Sequence, residues 1–285
     1  MARNRIIHAW DGLTLHIQEW GEGPLLPLLC LPGLVRTTGD FADFAGRYGG
    51  ERRIVSLDYA GRGESGRSQD VARYRPENCL RDVLDVCAAL HLHRVVVIGT
   101  SFGGLLAMGI AVMRPGLLAG VLLNDVGPEL GAAGAAFLRR FIADDPALPD
   151  LAQCAAHLRQ RLPYLSLTTE AQWQHFAHLT YRLGPDGKYH PRWDTAIAEL
   201  LDPPVRDLWP LFDALVGIPV LLVRGTHSNL LLAPAVEKMR MRRSDMEVAD
   251  IEGVGHAPTL AEPASIRAID RFLLQSGAVA CASPA

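Results

Sequence analysis

Hydrophobic runs of the kind that form buried strands alternate with segments of helical periodicity through most of the chain. The start differs, because "RIIHAW" and "LTLHIQEW" alternate apolar and polar residues around Asp11-Gly12 and predict an antiparallel hairpin. The later apolar runs predict buried strands: LLPLLCL, RIVSLD, RVVVIG, GVLLND, IPVLLVRG and MEVADIEG. Buried strands that alternate with helices predict an α/β fold, a mostly parallel sheet with helices on both faces.

The alternation fails between about Gly127 and Pro204. This segment has helical periodicity, is interrupted by turn residues, and is rich in aromatic side chains such as Phe137 and Trp193. The buried-strand pattern resumes afterwards at "GIPVLLVRG". We therefore predict a helical cap at residues 128–204, inserted into a core formed by residues 1–127 and 205–285.

Composition narrows the classes of protein to consider. The chain has 285 residues, 49% hydrophobic and 21% charged, with a net charge of −3, so a large core is expected and no nucleic-acid or anionic-membrane partner. Its 5 cysteines never show CxxC spacing and predict neither disulfides nor a zinc site. The beginning lacks a signal-peptide core, and no stretch is long enough to span a membrane, so we expect a cytoplasmic protein.

The stretch "VVVIGTSFGGLLAM" contains a serine in a G-x-S-x-G pattern, between a predicted strand and a predicted helix. In that context a sharp turn would hold Ser101 exposed as a nucleophile, with small residues required two positions away. The following helix would direct free N–H groups toward a developing oxyanion. The alternative is a serine that merely caps the helix; strand, turn and helix together favour the nucleophile.

From these residues the chain resembles the α/β-hydrolase superfamily over nearly its whole length. "LCLPGL" at 29–34 is similar to the superfamily's oxyanion loop, "DYAGRGESG" at 58–66 to the turn after its fourth strand, and "GVGHAPTLAEP" at 253–263 to its histidine loop. "NDVGP" and "DLWPLFDAL" are similar to a branch of cap-bearing bacterial esterases, lactonases and carbon–carbon bond hydrolases. The resemblance implies the α/β-hydrolase fold.

The resemblance also implies partners for Ser101. His256 follows the serine in the superfamily's order and is the expected base. The oxyanion donors would be the backbone N–H groups of Phe102 and Leu34, a prediction that rests on position alone.

The third member of the triad departs from the superfamily's pattern. The usual aspartate follows the strand ending "VLLVRG", where this chain has Asn229. An asparagine can accept the Nδ1–H of His256 but carries no charge, which predicts turnover lower by about four orders of magnitude. Asp125, at the end of another predicted strand, is the alternative, unless it only caps its turn. We slightly favour Asn229, whether it is natural or introduced in place of an aspartate.

Other polar residues carry weaker predictions. Arg36 follows the oxyanion loop and could bind a substrate carboxylate, although a solvated loop arginine is the simpler interpretation. His175 and His178 have a spacing that can hold a metal ion, but no further ligand is near in sequence, and we expect exposed histidines. We expect no metal and no cofactor.

Together these features predict a serine hydrolase of a small, largely apolar ester or lactone, acting through an acyl-enzyme on Ser101. Carbon–carbon cleavage of a vinylogous diketone would use the same residues. The alternative from another class is a non-catalytic ligand-binding protein, suggested by Asn229. The sequence predicts no oligomeric state.

Overall fold

The computed structural model describes residues 2–201 and 207–276 of the chain. Its strands are β1 (Arg3–His8), β2 (Thr14–Trp20), β3 (Leu25–Leu31), β4 (Arg52–Leu57), β5 (Val95–Thr100), β6 (Leu118–Asn124), β7 (Tyr181–Leu183), β8 (Tyr189–Pro191), β9 (Val220–Gly225) and β10 (Glu247–Ile251). Its α-helices are α1 (Ala42–Tyr48), α2 (Pro76–Ala89), α3 (Phe102–Met113), α4 (Ala132–Ala143), α5 (Leu151–Arg161), α6 (Glu170–Thr180), α7 (Trp209–Asp213), α8 (Ala233–Arg242) and α9 (Pro263–Ser276).

The main sheet has eight strands in the order β1-β2-β4-β3-β5-β6-β9-β10. Strand β2 pairs antiparallel with β1 and β4, and the pairs from β4 through β10 are parallel. The predicted hairpin is present, and strands form at all six predicted positions, so the mostly parallel sheet is confirmed. The last of them, β10, lies at the edge of the sheet and is only partly buried, so the prediction of burial is wrong there. The carboxyl ends of the parallel strands therefore lie at one edge, where a ligand site is expected.

Strand β5 shows why the central strands read as continuous apolar runs. Successive side chains of a strand point to opposite faces. Val95 and Val97 pack into the cluster that contains α2, α3, α7 and α8, whereas Val96 and Ile98 pack into the cluster that contains α1 and α9. Both faces are covered by helices, so neither set of side chains can be polar.

Between β6 and β9 the chain forms α4, α5, α6, the β7–β8 hairpin and a 3-10 helix at Thr195–Leu201, and after them α7, which packs in the core. Strands β7 and β8 pair with each other rather than with the main sheet. The elements before α7 form an apolar cluster around Phe141, Trp173 and Trp193, which Val35, Ala60 and Tyr74 from the first part of the core join. The end that we predict for the cap, at Pro204, lies outside the described residues.

Two helices of this segment, α5 and α6, begin at side-chain caps. Asp150 accepts a hydrogen bond from the Gln153 N–H at the start of α5, and Thr169 and Gln172 form a reciprocal capping box at the start of α6. None of the helices within the described residues combines the length and apolar composition that a membrane span needs.

Candidate active site

Ser101 lies in a strained turn between β5 and α3. Its backbone angles are φ 50° and ψ −112°, a conformation that L-residues rarely adopt. A Cβ on Gly103 would lie 2.0 Å from the Leu31 carbonyl oxygen, and one on Gly99 would lie 2.6 Å from the Gly104 nitrogen. The two glycines of the motif are therefore required by close backbone approach.

His256 lies in the loop between β10 and α9 and forms hydrogen bonds at both ring nitrogens. Its Nε2 atom is 2.9 Å from Ser101 Oγ, and its Nδ1 atom is 2.7 Å from Asp125 Oδ2. When Nδ1 carries the proton and donates a hydrogen bond to the carboxylate, Nε2 is free to accept the serine proton. The three side chains thus form one continuous chain of hydrogen bonds.

Asp125 is held in place through both carboxylate oxygens. It follows β6 directly, is completely buried, and has a backbone φ of 56°. Its Oδ1 atom accepts a hydrogen bond of 3.0 Å from the Gly225 N–H, while Oδ2 contacts His256. A buried carboxylate needs such partners, because leaving it unpaired would cost several kcal/mol.

Asn229 does not occupy the position beside His256 that the superfamily resemblance implies. Its side chain is exposed, in the loop that follows β9. The backbone carbonyl oxygen of Asn229 lies against the start of α4. A Cβ added to Gly131 would lie 2.4 Å from this oxygen, and one added to Gly134 would lie 2.5 Å from it. The Nδ1 position of His256 is already taken by Asp125, so the expectation that Asn229 contacts the imidazole is not met.

The loop that carries Leu34 lies at the same cavity as Ser101 and His256. Phe102 is the first residue of α3, so its N–H belongs to the helix start, which has no intrahelical acceptor. The loop is also held by a hydrogen bond of 3.1 Å, which the Tyr59 hydroxyl donates to the Pro32 carbonyl oxygen. The two predicted oxyanion donors thus belong to the loop after β3 and to the start of α3.

Arg62, in the turn after β4, is buried and supports that loop. Its Nε donates to the Leu34 carbonyl oxygen at 2.8 Å, and its Nη1 donates to the Ala60 carbonyl oxygen at 2.6 Å. Burial lowers the pKa of its guanidinium from the ordinary value. The signal in the sequence is its position inside "DYAGRGESG", but burial of an arginine is not visible there.

Arg36 is neither solvated nor free to receive a ligand. Its guanidinium donates to both carboxylate oxygens of Asp40, at 2.7 and 2.5 Å, and to Thr180 Oγ1 at 2.6 Å. It also stacks on the ring of Phe176, 4.2 Å from the centroid. Both sequence-based interpretations of Arg36 therefore need correction, because this side chain ties the loop after β3 to α6.

A cavity of about 720 Å³ lies over Ser101 and His256. Its wall is largely apolar, and the segment between β6 and β9 contributes much of it, including Phe137, Phe141, Leu165 and Phe176. Cavities of this size and composition are typical of small-molecule sites.

The α5–α6 loop contacts the loop of His256 at several points. The Gly255 N–H donates to the Tyr164 carbonyl oxygen at 2.7 Å, and Ser166 Oγ lies 3.0 Å from Thr259 Oγ1. Ser166 also donates to Glu262. The residue next to His256 is thus hydrogen-bonded to the inserted segment.

Glu262 collects these contacts on one carboxylate. Burial by itself would raise its pKa, but hydrogen bonds from Ser166, Ser265 and Thr259 outweigh burial and leave the pKa below its ordinary value.

His175 and His178 lie exposed on α6. Within the described residues, no group of three or more His, Cys, Asp or Glu side chains is arranged to hold a metal ion.

Residues 28–269 match the Alpha/beta hydrolase family, and the chain belongs to that family. It is 33% identical over 267 residues to the 3-hydroxybutyrate-oligomer hydrolase of Cupriavidus necator, covering 89% of this chain and 90% of that protein. It is 24% identical over 269 residues to the 2-(acetamidomethylene)succinate hydrolase of Mesorhizobium japonicum, covering 92% of each.

A solved structure, an alpha/beta hydrolase from Novosphingobium aromaticivorans, superposes with a TM-score of 0.90 at 36% identity. The match covers 96% of this chain and 98% of that one. The fold and family that the sequence motifs predict are confirmed by these likenesses.

Proposed function

We propose that this protein is a serine hydrolase that cleaves a small, largely apolar carboxylic ester or lactone. The observation that carries the proposal is the hydrogen-bonded chain from Ser101 Oγ through His256 to the buried Asp125 carboxylate. This arrangement matches the geometry by which an imidazole activates a serine hydroxyl. Asp125 is the acid in this proposal, and Asn229 is not part of the site.

The reaction follows from these positions. Ser101 Oγ attacks the ester carbonyl carbon while its proton passes to His256 Nε2, and the carbonyl electron pair moves onto oxygen. The Phe102 and Leu34 N–H groups stabilise that oxyanion. The alcohol leaves with the proton from His256, and the acyl group stays on Ser101. Water then attacks the acyl-enzyme with His256 again as base, which releases the acid and restores the serine.

Asp125 contributes charge and orientation in both steps. The buried carboxylate holds the imidazole by Nδ1 and stabilises the imidazolium that forms when Ser101 loses its proton. The low exposure of the carboxylate strengthens this interaction relative to one in water. We therefore propose that turnover at this site is not reduced by the about four orders of magnitude that Asn229 alone would predict.

The inserted segment supports an apolar substrate. We propose that residues 128–204 act as a cap, since side chains such as Phe137 and Phe141 line the cavity over Ser101. A largely apolar wall shields the acyl-enzyme from water and favours hydrocarbon groups over charged ones. The similarity to a 3-hydroxybutyrate-oligomer hydrolase supports only the type of bond cleaved, because oligomers of a hydroxy acid are joined by ester bonds. It does not carry over to the charge of the substrate, since such oligomers end in a carboxylate.

The proposal is tested with a fluorophosphonate probe and with p-nitrophenyl butyrate. We expect one label per chain, on Ser101, and ester turnover that disappears in Ser101→Ala. Ser244→Ala is the matched control, because Ser244 is exposed and lies outside the cavity. Labelling that persists in Ser101→Ala would overturn the assignment, and binding without labelling or turnover would identify a ligand-binding protein.

A further inference from the structure

The wall of the cavity over Ser101 contains charged side chains as well as apolar ones. Among the described residues of this wall, two are arginines, Arg36 and Arg47, and three are carboxylates, Asp40, Asp43 and Glu262. Lysine is absent from the described residues that line it. Whether the cavity accepts a charged ligand depends on which of these groups are already paired.

Arg36 is paired through a bidentate bridge. Two of its nitrogens donate to the two oxygens of Asp40, and the third donates to Thr180. Its side chain is 15% exposed and that of Asp40 is 24% exposed, so water screens the pair only partly. The planar fork of an arginine is the group best suited to a ligand carboxylate, and Asp40 already occupies it.

Arg47 has a carboxylate partner of its own. Its Nη2 atom lies 2.7 Å from Asp270 Oδ2, and Tyr48 donates a hydrogen bond to Oδ1 of the same carboxylate. Neither arginine of the cavity wall therefore carries an uncompensated positive charge.

The carboxylates outnumber these cations. Glu262 is held in its ionised form by four hydrogen-bond donors, and Asp43 adds a second negative charge. Asp125 lies directly behind His256 and adds another. Among the described residues of the wall, an anionic ligand would find no free guanidinium and a surplus of negative charge, and it would lose its hydration on entry.

We propose that Asp40 is a specificity-determining residue, which neutralises Arg36 and restricts the cavity to esters without a charge in either the acyl or the alcohol portion. This inference rests on the proposed function, of which it specifies the substrate class. Exclusion of a wrong ligand by like charge is a common way to obtain specificity. Removal of the Asp40 charge would free the Arg36 fork inside the cavity and admit a carboxylate.

Binding to the Ser101→Ala protein tests this independently of turnover. Two matched pairs of ligands are titrated by NMR: methyl hexanoate against monomethyl adipate, and hexyl acetate against 6-acetoxyhexanoate. The first pair places the charge in the acyl portion and the second in the alcohol portion. Each pair is measured with Ser101→Ala alone and with added Asp40→Asn or Asp43→Asn.

The Asp43→Asn variant removes a charge from the same wall without releasing an arginine, and is the matched control. A further variant, Arg36→Met with Asp40→Asn, removes the cation that the single substitution frees. Thermal unfolding of each variant verifies that the fold is retained.

We expect the Ser101→Ala protein to bind each neutral ester at least about tenfold more tightly than its anionic partner. Asp40→Asn should reduce that preference by about tenfold in at least one pair, and Arg36→Met should restore it.

A neutral-over-anionic preference below about tenfold in either pair would overturn the proposal, and so would a reduction of that preference by less than about tenfold in both pairs in Asp40→Asn. It would also be overturned if Asp43→Asn reduced the preference as much as Asp40→Asn, or if the tighter binding of the anionic ester in Asp40→Asn persisted after Arg36→Met. Failure of the proposed hydrolysis would show itself separately, as a wild-type protein that binds neutral esters without cleaving them.

Discussion

Asp125 Oδ2 lies 2.7 Å from His256 Nδ1, although the two residues are 131 positions apart in the chain. The contact is possible because β6 and β10 both end at the same edge of the sheet. Gly225, the last residue of β9, donates to the other carboxylate oxygen, so a strand lying between them holds the acid in place. The contact between Asp125 and His256 thus depends on three strand ends that are distant in sequence, and Ser101 follows a fourth, the end of β5.

The role of Asp125 predicts a large loss of the acylation rate for one substitution and almost no change for another. Asp125→Asn should reduce the single-turnover acylation rate by about 10³–10⁴-fold, because a neutral amide neither stabilises the imidazolium nor enforces the tautomer. Asn229→Asp should change that rate by less than about threefold, because its side chain lies in solvent. An increase in Asn229→Asp together with an unchanged rate in Asp125→Asn would contradict the assignment.

The close approach at Gly103 predicts a large effect of a single methyl group. In Gly103→Ala the new Cβ would lie 2.0 Å from the Leu31 carbonyl oxygen, so backbone must move. We expect a loss of about 3 kcal/mol or more in the free energy of unfolding, measured by urea titration, and loss of fluorophosphonate labelling. Gly116→Ala is the control, because nothing lies within 4 Å of its added Cβ. Equal stability of the two variants would show that the turn tolerates the displacement.

The contact between Gly255 and Tyr164 predicts that the inserted segment positions the loop of His256. In Gly255→Ala the added Cβ would lie 2.8 Å from Tyr164 Cβ and push the two loops apart. We expect kcat/KM for p-nitrophenyl butyrate to fall by about tenfold, because small displacements of a catalytic group are costly. Adding Tyr164→Gly removes the opposing atom and should restore most of the rate. The absence of such a rescue would assign the loss to Gly255 itself.

The hydrogen bonds to Glu262 predict a pH-dependent contribution to stability. Because its pKa is lowered on folding, the ionised group stabilises the protein above the ordinary glutamate pKa of about 4.3, and this stabilisation is lost as the pH falls through the lower folded value. The difference in the free energy of unfolding between wild type and Glu262→Gln should therefore be largest near pH 7 and shrink toward pH 3.

Urea titrations at several pH values measure this difference. Glu252→Gln, which replaces an exposed carboxylate, serves as the control and should show no such trend. A difference for Glu262→Gln that stays constant with pH would show that the group does not titrate differently in the folded state.

The order of elements could be predicted from the sequence because local chemistry determines it. Strand β5 is apolar at every core position since helices cover both faces, and that requirement is visible as the run "VVVI". The glycines around Ser101 are visible for a similar reason, because a local backbone approach excludes any side chain. The family, the fold and the position of the strained serine turn therefore followed from short stretches of sequence.

The identity of the carboxylate beside His256 was decided only by tertiary structure. Asn229 occupies the loop position that the family resemblance suggests, yet packing of that loop against α4 leaves its side chain exposed. Arg36 is a similar case, because its partner Thr180 lies 144 positions away and comes from the inserted segment. Such contacts depend on how separate loops converge at one edge of the sheet, and sequence spacing carries no record of that convergence.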